Sequence, residues 1–149
     1  MEQIVFDTGL REYKINEHGI LRFNPSDPNL YARFFSATDK IKDVEKEMSE
    51  KAKTIPENNG SESGEAVLQI MRETDEKIKK VLNDIFGHGN DFDKILEGIN
   101  LMAVATNGKR VVENLLEALQ PIMEAGAKEC TNSEVESAKL NREQRRALQ

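Results

Sequence analysis

The chain has little aromatic material from which to build a large core. Its 149 residues include no Trp, two Tyr and six Phe, so that aromatic residues make up only 5%. Charged residues are far more abundant at 32%. This balance is typical of a helical protein with a charged surface, and the length suits one domain rather than two. A thin core also suggests that partners contribute to stability.

Cysteine and long apolar runs are equally scarce. The single Cys130 cannot form an internal disulfide, and the segment MEQIVFDTG lacks the features of a secretory signal. No stretch approaches the roughly 20 consecutive apolar residues that cross a bilayer. These absences predict a cytoplasmic protein without a membrane span.

Acidic and basic residues are mixed along the chain, with a net charge of −6. An extended basic surface for nucleic acid or anionic lipid is therefore not expected. One basic cluster stands near the C-terminus, where four cations surround Glu143: Lys139, Arg142, Arg145 and Arg146. Without aromatic residues for base stacking, this cluster favours docking to a protein or a solvated tail over nucleic-acid recognition.

Catalytic and metal-binding patterns are missing as well. His88 with Asp91 and Asp93 offers too few ligands for a metal site, and a turn beside a helix start accounts for all three. Cys130 and His18 are far apart in sequence, and no phosphate-binding GxxxxGK[ST] motif occurs. We therefore predict a non-enzymatic protein with no catalytic residues, no metal site and no cofactor.

Apolar spacing predicts a mainly α fold with a small N-terminal β element, an α+β protein. Short apolar stretches in residues 1–24, beginning with Ile4-Val5-Phe6, predict two or three short strands that include a hairpin. Helical periodicity predicts helices at 28–54, 64–86, 91–105 and 108–125. A single domain of residues 1–126 would then carry a flexible, basic-ended tail of residues 127–149.

Several residues predict where helices begin and end. Asp27 can cap a helix whose first residue is Pro28, and Asn90 can cap the third helix. Gly87 suits a helix C-terminus, whereas Pro121 should kink or end the fourth helix. The polar stretch 56–64 predicts a mobile loop between the first two helices.

The first helix carries two features that concern partners. Its apolar stripe has a seven-residue spacing, compatible with internal packing or with a helical dimer seam, so self-association is an alternative to a purely internal role. Tyr31, Phe34 and Phe35 cannot all point inward from one helix. They are candidate protein-binding residues, with packing against the N-terminal strands as the alternative.

A family resemblance covers Tyr13 to about Glu47. A strand containing Tyr13 is followed by Phe23-Asn-Pro-Ser-Asp-Pro28 and then by Arg33-Phe-Phe35, which opens a charged helix. This order resembles the tail assembly chaperones of tailed phages and prophages of Gram-positive bacteria. In that family a strand pair and an FNPxDPxxxxRFF-like stretch lead into a helical bundle.

The resemblance implies a function and partners. Such a chaperone coats the tape measure protein in the bacterial host cytoplasm, keeps it soluble and helps to recruit the major tail protein. Two alternatives remain: a structural tail completion or connector protein of the virion, and a small nucleic-acid-binding regulator. An acidic helical partner with apolar grooves would suit a long, aggregation-prone helical client, and many copies along it would gain from avidity.

Overall fold

The computed structural model describes residues 1–57, 60–87 and 89–147. Its elements follow one another as two strands and four helices: β1 Arg11–Ile15, β2 Gly19–Phe23, α1 Pro28–Lys53, α2 Ser61–Phe86, α3 Phe92–Ile95 and α4 Val111–Ala147. The predicted α+β class, with an N-terminal hairpin ahead of four helices, is confirmed. The buried apolar residues of all these elements except β1 form one hydrophobic cluster.

Strands β1 and β2 form an antiparallel hairpin in which Tyr13 lies opposite Leu21. Leu21 and Phe23 are buried, whereas Arg22 between them is exposed, as expected for a strand with one face on the core. A third strand at Ile4–Phe6 was an alternative prediction and is wrong. Residues 1–10 contain no strand or helix in the structure.

Helix α1 begins where the sequence predicts. The Asp27 carboxylate accepts a hydrogen bond from the backbone N–H of Asn29 at 2.9 Å, and Pro28 is the first helical residue. One face of α1 is buried, with a spacing of three, four and seven residues: Leu30, Phe34, Ala37, Ile41 and Met48. This face packs along α2.

Helix α2 ends at Phe86, and its C-cap Gly87 has a positive φ of +84°, which glycine adopts without strain. Its start at Ser61 lies inside the loop predicted at 56–64, so that prediction is too long at its C-terminal side. The rest of the predicted loop includes Asn58 and Asn59, which lie outside the described residues. His88, which was weighed with Asp91 and Asp93 as a metal site and rejected, also lies outside them.

The third helix is much shorter than the predicted 91–105. It spans only Phe92–Ile95, and its N-cap is Asp91 rather than Asn90. Asn90 has another role, because its side-chain amide accepts a hydrogen bond from the backbone N–H of Arg22 and donates one to the same residue's carbonyl, at 3.0 and 2.8 Å. Asn90 thereby occupies the outer edge of β2 as a neighbouring strand would.

Helix α4 is much longer than the predicted 108–125. It runs for 37 residues through Pro121 and Gly126 to Ala147, so the predicted end before Gly126 is wrong, and residues 127–147 of the predicted flexible tail continue the helix. Gly126 is buried in this helix, where a Cβ would collide with the backbone carbonyl of Pro25. Glycine therefore permits close approach of α4 to the turn before α1, and does not end the helix.

Candidate protein-binding surfaces

The buried charges of the described residues form one network around Lys79. Its ammonium donates hydrogen bonds to the Asp93 carboxylate at 2.6 Å and to the Ile99 carbonyl at 2.9 Å, and it pairs with Asp75 at 2.8 Å. The second oxygen of Asp75 accepts the backbone N–H of Leu101 at 2.7 Å. The network thus joins α2 to α3 and to the segment after it.

The hydrogen-bonding positions of the Lys79 ammonium are all occupied by protein groups. Burial lowers the pKa of Lys79, but the hydrogen bonds and charges of Asp75 and Asp93 outweigh burial and leave its pKa raised. All three ammonium protons have acceptors, so Lys79 is held charged and has no free position for a substrate. We interpret the network as a structural clamp.

No group of three His, Cys, Asp or Glu within the described ranges could hold a metal ion. His88 lies outside those ranges. His18 is exposed in the turn between β1 and β2, and Cys130 is half-buried on α4. The two side chains that were weighed as a nucleophile and its base therefore belong to different elements.

The three aromatic candidates of α1 separate into core and surface. Phe34 is only 2% exposed and belongs to the core, so the structure does not place it on a surface that a partner could contact. Phe35 is 40% exposed, and its ring lies 4.4 Å from the half-buried ring of Tyr31, measured between centroids. Tyr31 and Phe35 thus form a small aromatic patch on the surface.

The four basic candidates all lie on the C-terminal part of α4. We call residues 131–147 the distal half of α4, because every one of them is exposed and the last buried residue of the helix is Gly126. At 1.5 Å per residue this half extends about 25 Å.

Helical geometry brings the four cations together. Lys139, Arg142 and Arg146 are three, four and seven residues apart, and Arg145 lies within the same arc of about 120°. The exposed Val135 precedes them on this basic face. Cations at a helix C-terminus also complement its dipole, which gives the cluster a stabilising role without any partner.

Two further surfaces were missed by sequence reasoning. The first is the N-terminal arm, residues 1–10, in which Ile4, Val5 and Phe6 are 87%, 80% and 74% exposed. Three consecutive apolar residues at a chain end were the only signal for it, and they equally suggest a paired strand.

The second is a groove of about 360 Å³ between β1 and α4, which we call the β1–α4 groove. Its apolar lining comes mainly from half-buried or buried side chains: Tyr13, Ile15, Leu96, Leu115, Leu119 and Ile122. These residues are distant in sequence, so only the fold reveals the groove.

The fold and these surfaces define a mainly helical α+β protein with an exposed arm at one end of the chain and an exposed helix at the other. The chain belongs to the family of unknown function DUF6673, whose model matches residues 21–149. No curated protein and no solved structure matches the chain. None of the helices within the described residues is sufficiently long and apolar to span a membrane.

Proposed function

We propose that this protein is a non-enzymatic assembly chaperone of a tailed phage or prophage. It binds the tape measure protein in the cytoplasm of the bacterial host and helps to recruit the major tail protein. The observation that carries this proposal is the distal half of α4, a helix that presents a basic face and makes no core contact.

The physical argument concerns the stability of that helix. An isolated helix of this length is only marginally stable in water, because most helical stability comes from packing. A long helical client offers the missing packing surface, and carboxylates on the client would pair with the basic face. Packing of the distal half against a client would therefore stabilise both helices.

The second argument is the resemblance over Tyr13 to about Glu47. That segment contains most of the β-hairpin, the Asp27 cap and most of α1. The aromatic patch of Tyr31 and Phe35 lies at the start of α1 and provides a second contact surface. Weak contacts repeated by many copies along one client add up through avidity.

The test is co-expression with the tape measure protein, followed by affinity purification and light scattering of the soluble fraction. The wild-type chain should hold the client in a soluble complex of several copies. Lys139→Gln, Arg142→Gln and Arg146→Gln together should lower the recovered client at least about tenfold, because three charge-assisted contacts are lost while helix propensity is kept.

A matched control neutralises three exposed lysines of the body, with Lys46→Gln, Lys80→Gln and Lys94→Gln. This control should retain the client, which separates the basic face from net charge. An insoluble client beside an unbound wild-type chain would refute the proposal. Stoichiometric recovery of the chain in purified virions would instead support the tail completion or connector alternative.

A further inference from the structure

The hairpin has one closed edge and one open edge. Asn90 occupies the outer edge of β2 through both backbone groups of Arg22. The backbone N–H and C=O of Arg22 point away from β1, so Arg22 and its partner Glu12 form a pair without mutual backbone hydrogen bonds. The backbone N–H and C=O of Glu12 therefore point away from β2. The backbone groups of Lys14, two residues further along β1, point in the same direction.

The outward backbone groups of Glu12 and Lys14 have no backbone hydrogen-bond partner within the described part of the chain. An open strand edge of this kind is a template for another strand. It also borders the β1–α4 groove, into which Tyr13 and Ile15 project from the same strand. The edge therefore offers hydrogen bonds beside an apolar surface.

The N-terminal arm has the complementary properties. Its β-branched and aromatic residues Ile4, Val5 and Phe6 favour a strand, yet they are exposed and unpaired. The base of the arm is fixed, because the side-chain amide of Asn24 donates to the Thr8 carbonyl at 2.9 Å. Gly9 turns the chain there with a φ of +73°, and a Cβ at Gly9 would collide with Asn24.

We propose that the arm of one copy adds as a third strand to the β1 edge of a second copy. In a strand, Ile4 and Phe6 share one face and enter the β1–α4 groove, while Val5 faces outward. Charges agree with this arrangement, since Glu2 and Asp7 flank the apolar triplet and Lys14 is exposed on β1, whereas Arg11 already pairs with Glu129 of α4 at 3.5 Å. This self-association is independent of the proposed client.

The test is analytical ultracentrifugation of the full chain over a range of concentrations, together with amide hydrogen exchange. Wild type should associate, and the amides of Glu12 and Lys14 should become protected as concentration rises. Ile4→Asp with Phe6→Asp should weaken association at least about 100-fold, because two buried apolar anchors are lost. Both residues are exposed in the single chain, so the variant should fold normally.

Two further variants make the test specific. Val5→Asp is the matched control and should associate within about threefold of wild type, because Val5 faces outward in the added strand. Lys14→Pro should abolish association, since its N–H is unused within the hairpin but needed by the incoming strand.

Three results would overturn the proposal. One is a wild-type chain that stays monomeric with unprotected Glu12 and Lys14 amides. Another is protection that does not vary with concentration, which would mean that the arm pairs with its own β1. The third is association that survives both the double arm variant and Lys14→Pro.

Discussion

Gly126 shows how one residue can serve a purpose opposite to the one its type suggests. Glycine near the end of an apolar stripe predicts a helix C-terminus, yet here it lies inside α4 against the Pro25 carbonyl. The close approach fixes α4 on the turn before α1, and that turn is part of the FNPSDP stretch. The sequence holds no local signal for this contact, because Pro25 and Gly126 are a hundred residues apart.

We predict that Gly126→Ala lowers the free energy of unfolding by about 1–3 kcal/mol, because the new methyl group forces a backbone shift in a packed contact. Gly64→Ala is the matched control. Gly64 also lies in a helix, but nothing lies within 4 Å of its Cβ position, so alanine should stabilise the protein by about 0.5–1 kcal/mol. Urea unfolding would measure both, and equal signs would contradict this account.

Lys79 carries the second prediction at this scale. Lys79→Met should destabilise the protein by about 3–5 kcal/mol, because Asp75 would remain buried without its cation. Lys109→Met removes an exposed pair with Glu117 and should have no measurable effect in the same chemical denaturation experiment. A loss of equal size in the two variants would contradict the role of burial.

The same network gives a pH dependence. Because the pKa of Lys79 is raised in the folded state, its contribution is fully present below the unfolded-state pKa. It is lost as pH rises through the folded-state pKa. The stability difference between wild type and Lys79→Met should therefore be constant near neutral pH and shrink in strongly alkaline solution.

At the scale of elements, the third helix shows where periodicity fails. Residues 92–105 have helical spacing, but Glu97 and Gly98 adopt positive φ and Leu101 donates its N–H to Asp75. Phe92, Leu101 and Met102 are nevertheless buried. A short apolar stretch can thus bury the expected residues through tertiary hydrogen bonds instead of a helix, and spacing alone does not separate the two cases.

Helix α4 shows the opposite failure, since residues 131–147 lack an apolar stripe and yet continue the helix. A chain that ends at Cys130 should therefore lose helical circular dichroism but keep the wild-type melting temperature, because the deleted half buries nothing. A large drop in melting temperature would mean that the distal half packs on the body. A point variant on the body, Gly126→Ala, provides the reference for a true core effect.

For the whole molecule, the fold class and the order of elements could be predicted because turn formers and apolar periods mark them locally. The candidate surfaces could be predicted only in part. Phe34 and Phe35 are neighbours of the same type, but only Phe34 lies on the apolar spacing of the buried face of α1, so the period indicates that Phe35 is the exposed one. The β1–α4 groove brings together residues about a hundred positions apart in the sequence, and no local sequence pattern predicts such a contact.

The continuity of α4 makes Cys130 a useful site for a fluorescent label. No glycine or proline follows Gly126 in residues 127–147, so the half-buried Cys130 lies on an uninterrupted helix between the core and the basic face. It is the only thiol in the chain. A fluorophore can be attached there without mutagenesis. Its anisotropy decay would distinguish slow rotation of the whole protein from independent motion of the C-terminal part of α4.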